Sequence, residues 1–181
     1  MSENLNVDKF ANGDKIIHAK TNIEWMQAMK KKIPAWCIYE NDADNELVFG
    51  KLYNWYAVND QRGLAPKGWH ISTSKEWMKM LQILGGEKYA GKTLKGSNGW
   101  INEQKYGEKS LFRANPGGFR NAHDGSFENL GYYGYWWTSD SKTNEKAKNR
   151  GLEYDNDSVN SGVYFKGGGF SVRCIMDKSK L

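Results

Sequence analysis

The sequence predicts an α+β domain in which helices stand beside short strands and long ordered loops. Three observations carry this. Two helix starts are written in full: Thr21-Asn22-Ile23-Glu24 and Thr73-Ser74-Lys75-Glu76 each place a hydroxyl at an N-cap and a glutamate three residues on. The composition, with 8 Trp, 10 Tyr, 7 Phe and 20 Gly against 3 Pro, suits short strands, tight turns and ordered loops. Finally, two dense blocks frame the last third of the chain. Gly134-Tyr135-Trp136-Trp137-Thr138-Ser139-Asp140 and Gly167-Gly168-Gly169-Phe170-Ser171-Val172-Arg173-Cys174-Ile175 both read as buried strands, with a polar, aromatic-spotted and irregular stretch between them.

Taken in order, Thr21 caps a helix whose inner face carries Trp25, Ala28 and Met29. Lys30, Lys31 and Lys32 suit the negative end of its dipole, and Pro34 stops it. Trp36 to Tyr39 reads as a short strand, Glu40 to Glu46 as a polar turn, and Leu47 to Val58 as a buried stretch, extended or partly helical. Trp69-His70-Ile71 leads into the second capped helix, where Trp77, Met80, Leu81 and Leu84 fall at i, i+3, i+4 and i+7 and Gly85-Gly86 ends the pattern. Residues 87 to 133 read as loop-rich, punctuated by eight glycines including Gly107 and Gly131. A hairpin is expected from Arg150–Tyr154 and Ser158–Phe165, with Asp155-Asn156-Asp157 as its turn. No linker or low-complexity segment interrupts the chain, which predicts one domain over residues 1–181.

With 181 residues the chain can bury a substantial core without staples. Its net charge of +5 is scattered, with no zinc-finger spacing and no RNP-like motif, so a nucleic-acid partner is not expected. The N-terminus lacks a signal-peptide pattern, and no segment is apolar enough to span a membrane. Two cysteines, Cys37 and Cys174, could close one bridge or stand as two buried thiols.

A reactive cluster is hard to find. His18, His70 and His123 have no metal-ligand spacing, and His70 reads as a half-buried strand residue. Asp42, Asp44 and Glu46 open like a calcium loop, but Leu47 stands where an EF-hand needs glycine and Tyr53 where it needs an acid. Asp155-Asn156-Asp157 could offer oxygens to calcium, though a polar turn is the plainer reading. Neither a Gly-x-Ser-x-Gly elbow nor a Walker loop occurs, and both cysteines sit among apolar neighbours. No cofactor, metal or catalytic residue is expected. What remains is surface: Tyr132, Tyr133, Tyr135, Trp100, Tyr154 and Tyr164 lie in or beside glycine-rich loops among polar residues, a mixture suited to sugar rings and protein hot spots.

Several blocks, in order, resemble the Fibrobacter succinogenes major paralogous domain. They are Asn54-Trp55-Tyr56-Ala57-Val58, Leu64-Ala65-Pro66-Lys67-Gly68-Trp69-His70-Ile71-Ser72-Thr73, Glu76-Trp77, Leu84-Gly85-Gly86, Pro116-Gly117-Gly118-Phe119-Arg120, Gly134 to Ser139 and Gly169 to Cys174, with an opening Met1-Ser2-Glu3-Asn4-Leu5 that fits as well. The resemblance implies the formylglycine-generating-enzyme-like branch of the C-type lectin fold: two helices flanking small twisted antiparallel sheets, adjacent termini, and long loops that present a ligand. Members are mostly exported or surface-anchored bacterial proteins, or proteins of gut phages. The generating enzymes carry a redox-active cysteine pair before a closing strand like Gly169–Cys174; between Gly134 and Gly169 this chain has no cysteine. The Glu-Pro-Asn, Gln-Pro-Asp and Trp-Asn-Asp motifs of calcium-dependent lectins are also missing.

The resemblance therefore implies a non-enzymatic recognition module that binds a glycan or a surface protein, extracellular or at a cell surface if it is part of a longer exported chain. A virion component, such as a homo-oligomeric fibre or decoration protein, is the alternative, prompted by a domain that starts at Met1. Proteins diversified by retroelements, which share the fold, place variable residues just before the closing strand and offer a third. The first and third readings point to residues 141–166 as the recognition face. The candidate binding residues are Tyr132, Tyr133, Asn149, Arg150, Tyr154, Asn156, Asn160, Tyr164 and Lys166.

Overall fold

The computed structural model describes residues 1–101 and 110–178, so Gly107 lies outside the described residues. It is an α+β structure. In chain order the elements are β1 (Ile17–His18), α1 (Asn22–Lys31), β2 (Ala35–Cys37), a 3-10 turn at Tyr39–Asn41, α2 (Ala43–Phe49), β3 (Leu52–Tyr53), α3 (Trp55–Val58), β4 (Trp69–Ile71), α4 (Ser74–Ile83), α5 (Ala90–Leu94), β5 (Gly117–Arg120), β6 (Phe127–Leu130), β7 (Tyr133–Ser141), β8 (Lys146–Glu153), β9 (Val159–Phe165), β10 (Ser171–Val172) and β11 (Cys174–Met176).

The two expected helices are α1 and α4. Both capping boxes form, with Thr21 and Thr73 each accepting from the backbone N–H three residues on and Glu24 and Glu76 reaching back. Before Pro34 is reached, α1 ends at Lys32, which takes a left-handed conformation and donates to the carbonyls of Ala28 and Met29. The turn expected over Glu40–Glu46 is instead the entry to α2. Asp42 is its N-cap, and Asp44 and Glu46 sit in its first turn, where acids favour the helix dipole.

Among the described residues the strands form three sheets. One has the order β1-β2-β3; a second pairs β4 with β11. The largest runs β6-β5-β7-β8-β9, with β10 parallel to β7 through Ser171↔Trp136 and Val172↔Trp137. Isolated bridges Tyr53↔Phe170 and Arg120↔Gly169 tie the sheets together. The ends of the chain are close: the Leu5 N–H donates to Val172 at 2.9 Å, and the Met1 ammonium donates to the Cys174 carbonyl at 2.8 Å.

Strand alternation along β7 divides the core. Trp136 packs with Trp77, Leu81 and Leu152 under α4, whereas Trp137 packs on the other face with Trp55, Phe170 and Val172. A third cluster holds α1 through Trp25 and Ala28 against Tyr39 and Leu52. Trp25, Trp136 and Trp137 are at most 1% exposed, and burying each contributes on the order of 3 kcal/mol. Two of the three indole N–H groups are also used, Trp137 donating to the Tyr53 carbonyl and Trp136 to the Asn4 side chain, both at 2.9 Å, whereas that of Trp25 is buried without an acceptor among the described residues.

Three expectations are corrected here. The stretch 141–166 is not an irregular insert; β8 and β9 fill it as regular strands, from Lys146↔Phe165 to Leu152↔Val159. The closing block is not one strand but β10 and β11 in different sheets, with Arg173 between them. The loop-rich region also contains α5, β5 and β6. For β5, β6, β8, β9 and β10, backbone pairing in the large sheet gave order that the polar and glycine-rich composition concealed. The hairpin turn at Asp155-Asn156-Asp157 is present, within the connection from β8 to β9.

Candidate functional site

The central register of the large sheet sorts the candidate residues by face. Opposed pairs Tyr133↔Glu153, Tyr135↔Gly151, Gly151↔Asn160, Asn149↔Gly162 and Ala147↔Tyr164 share one face of β7, β8 and β9. On it, the Tyr133 and Tyr135 rings stack 5.7 Å apart with an interplanar angle of 2°. Tyr135 stacks in turn on Phe170 at 5.1 Å, so a ladder of rings climbs out of the core. Gly151 makes the ladder possible: the Tyr135 ring passes 3.3 Å from where a Cβ would stand.

Glu153 organises the polar half of this face. Its Oε2 accepts from Asn156 Nδ2 at 2.7 Å and its Oε1 accepts from Asn160 Nδ2 at 2.8 Å. Both amides are thereby oriented with their oxygens turned away from the carboxylate, and Asn156 Oδ1 also accepts the Ser158 N–H at 2.9 Å. The Glu153 charge raises the Tyr133 hydroxyl above its ordinary value. Burial, followed by the same neighbours, pushes Tyr135 up to about 12. Both phenols are therefore neutral donors at physiological pH.

The loop carrying Asn156 is held from within. Lys95, fully buried, donates from Nζ to the Asn156 carbonyl at 2.7 Å and lies 3.4 Å from that of Tyr154. Burial lowers its pKa, and Asp157, Asp155 and Glu153 oppose that shift. The carbonyls a calcium reading would have used thus face an ammonium that the protein itself supplies. Sequence reasoning missed Lys95, and a lysine in a weakly patterned segment gave no signal for it.

The nine candidates divide as follows. Tyr133, Asn156 and Asn160 gather around Glu153, which the sequence reading had left out. Tyr132 and Tyr154 meet edge to face at 5.4 Å at the end of the β7–β8 ladder, with Tyr154 packed on the α4 cluster. Tyr164 belongs to the core, half-buried against Phe119 at 5.7 Å and Phe170 at 5.3 Å. Three candidates are corrected because they are buried. Asn149, 6% exposed, folds against Gly162, where its Oδ1 would sit 2.6 Å from a Cβ. Arg150, 3% exposed, points to the opposite face and pairs with Glu87 at 2.8 Å. Lys166, 9% exposed, lies over the Trp55 ring at 4.5 Å. Trp100 is also buried, donating to the Ala114 carbonyl at 3.1 Å.

Both cysteines and His70 are taken up structurally. Cys37 and Cys174 are two buried free thiols, not a bridge. Burial pushes them up to about 12 and about 11, so neither is a thiolate at neutral pH. His70 does sit in a short strand, but it is also clamped, with Nδ1 2.6 Å from Asp177 and Nε2 2.8 Å from Glu76. His123 is exposed, its ring edge-on to Phe165. Among the described residues no group of three or more His, Cys, Asp or Glu is placed to hold a metal ion, and no helix is long and apolar enough to cross a membrane.

Residues 1–176 match the Fibrobacter succinogenes major domain. The chain belongs to that family. No curated protein and no solved structure matches it. Within this Fibrobacter succinogenes major domain, the match takes in every element from β1 to β11, the Tyr133–Glu153–Asn160 face included.

Proposed function

We propose that this domain is a non-catalytic recognition module of C-type-lectin-like architecture, and that the β7–β8–β9 face around Glu153 binds a glycan. One observation carries the reading: a graded ladder of tyrosine rings stands directly beside two asparagine amides fixed by one carboxylate. Aromatic faces cover the apolar C–H surface of a sugar ring, while pre-oriented amides, a carboxylate and phenol hydroxyls take up its hydroxyls. Because these groups stand on paired strands, little ordering cost is added on binding. The adjacent termini and the two helices beside curled sheets support the architectural part of the proposal. The up-shifted, buried thiols support the non-catalytic part.

The test is a glycan array probed with the wild-type domain and with the Tyr133→Ala and Asn160→Ala variants. The expected result is selective binding by the wild type and a loss of roughly tenfold or more, about 1.4 kcal/mol, in each variant. Folded wild-type protein that binds no glycan, or variants that bind as well as the wild type, would sink the reading; retention of a surface protein in their place would redirect it to a protein ligand.

A further inference from the structure

A second site is built where the N-terminal segment, the end of α2 and the closing strands meet. A cleft of about 460 Å³ opens there, lined by Glu3, Asn4, Ser97, Asn98, Arg113 and Arg173 among others. Its lining is rich in amides and hydroxyls, unlike the apolar interior on either side of it.

Arg173 forms the inner wall and is only 3% exposed. Its Nε donates to Asn4 Oδ1 at 2.6 Å, its Nη1 to the carbonyls of Met1 at 3.2 Å and Phe112 at 2.7 Å, and its Nη2 to that of Arg113 at 3.0 Å. None of these acceptors is a carboxylate. A guanidinium has five N–H donors, so among the described residues one at Nη2, the end next to Arg113, has no acceptor. Burial draws Arg173 down to about 9, which leaves it charged at neutral pH. A buried cation met by neutral carbonyls and one aromatic ring, with no carboxylate bonded to it, keeps part of its desolvation cost.

Arg120 provides a comparison. It too is fully buried and bonded to the carbonyls of Gly125, Ala19 and Lys20, and it is enclosed by the Trp25 and Phe127 rings, where Arg173 has only the Phe112 ring, 4.4 Å away. Arg173, by contrast, borders the open cleft. The backbone of Arg113 shows a second departure from the ordinary, with φ at +49°, a left-handed conformation that costs a non-glycine residue energy. That conformation accompanies a carbonyl turned inward to Arg173 and an exposed Arg113 side chain on the cleft wall. Of the two acids on the lining, Glu46 is neutralised by an ion pair with Lys51, which leaves Glu3 against two arginines. The excess is a single positive charge.

We propose that this cleft binds a small monocarboxylated sugar of the uronic-acid class, its carboxylate meeting Arg113 and the free edge of Arg173 and its hydroxyls meeting Asn98 and Ser97. The arginine fork matches a carboxylate, the net charge matches a monoanion, and the amide-rich walls match a polyol. The site is independent of the tyrosine face.

Calorimetric titration tests it, with glucuronate, its methyl ester, glucose, acetate and glucose 6-phosphate as probes. Saturable glucuronate binding is expected, with the ester, glucose and acetate weaker by roughly tenfold or more. Arg113→Gln, at an exposed position that should not disturb folding, is expected to weaken glucuronate by roughly fivefold or more, whereas Tyr133→Ala leaves it unchanged. No binding at about 50 mM, or equal binding of glucose, would overturn the proposal. So would an Arg113→Gln variant that binds as tightly as the wild type. Equal affinity for acetate would reduce the cleft to an anion site, and tighter glucose 6-phosphate would make it a phosphate site; either contradicts the assignment.

Discussion

At the scale of single residues, Glu153 decides what the tyrosine face can do, because one carboxylate fixes both Asn156 and Asn160. Glu153→Ala is expected to lower glycan affinity about as much as removing a contact residue, while costing only about 1 kcal/mol of stability, since the freed amides at this half-exposed edge can turn to water. Denaturant titration alongside glycan binding separates the two effects. Gly118 is the opposite kind of residue. Its φ is +57°, and a Cβ there would stand 2.4 Å from the Glu128 carbonyl and 2.8 Å from the Leu130 N–H. Both the conformation and the space exclude a side chain, so Gly118→Ala is expected to destabilise by roughly 2–4 kcal/mol, read as a lowered denaturation midpoint.

At the scale of elements, the capped helices are the most autonomous parts. Thr21→Ala and Thr73→Ala should each cost about 1 kcal/mol in thermal or chemical unfolding. The Thr73 change is expected to cost more, because Glu76 Oε2 bonds Thr73 while its Oε1 meets His70, so loosening the cap also loosens the β4 clamp. These helices were legible because capping and helical periodicity are local. The frame strand β7 was legible too, since Trp136 and Trp137 could only be buried. Strands β8 and β9 were not. Their sequence, from Lys146 through Asn149 to Gly162, is polar and glycine-rich because the face shared with Tyr133 and Glu153 must admit rings and amides over Gly151 and Gly162, while β9 leaves Asn160 and Ser161 exposed. Their order comes from pairing with β7, a long-range term that composition does not report. For the same reason Asn149, Arg150 and Lys166 read as surface residues until register and packing placed them inside. Tyr133, Asn156 and Asn160 keep at least partial exposure because they sit at the end of the β7–β8–β9 ladder.

At the scale of the whole molecule, the C-terminal segment is held against α4 by a titratable clamp. Hydrogen bonds donated to Asp177 and then to Glu76 raise His70 above its ordinary value of 6.5. A group raised in the folded state contributes stability that is fully present below its unfolded pKa and is lost as pH rises through the folded one. Stability should therefore decline modestly from about pH 6.5 upward through the folded His70 pKa, and His70→Gln should flatten the profile in that window, as followed by urea midpoints against pH. The effect is small because the histidine is 40% exposed at its side chain. Folding on this scale also brings the two ends of the chain together and leaves Tyr133, Glu153 and Asn160 at least partly exposed on the β7–β8–β9 face proposed for recognition. That face is the central claim, and amide chemical-shift mapping with a neutral glycan selected from the array tests it most directly. The account predicts that the shifts concentrate at Tyr133, Tyr135, Gly151, Glu153, Asn156 and Asn160 and vanish in Tyr133→Ala. Shifts confined to any other surface, with these six residues unmoved at saturation, would contradict it.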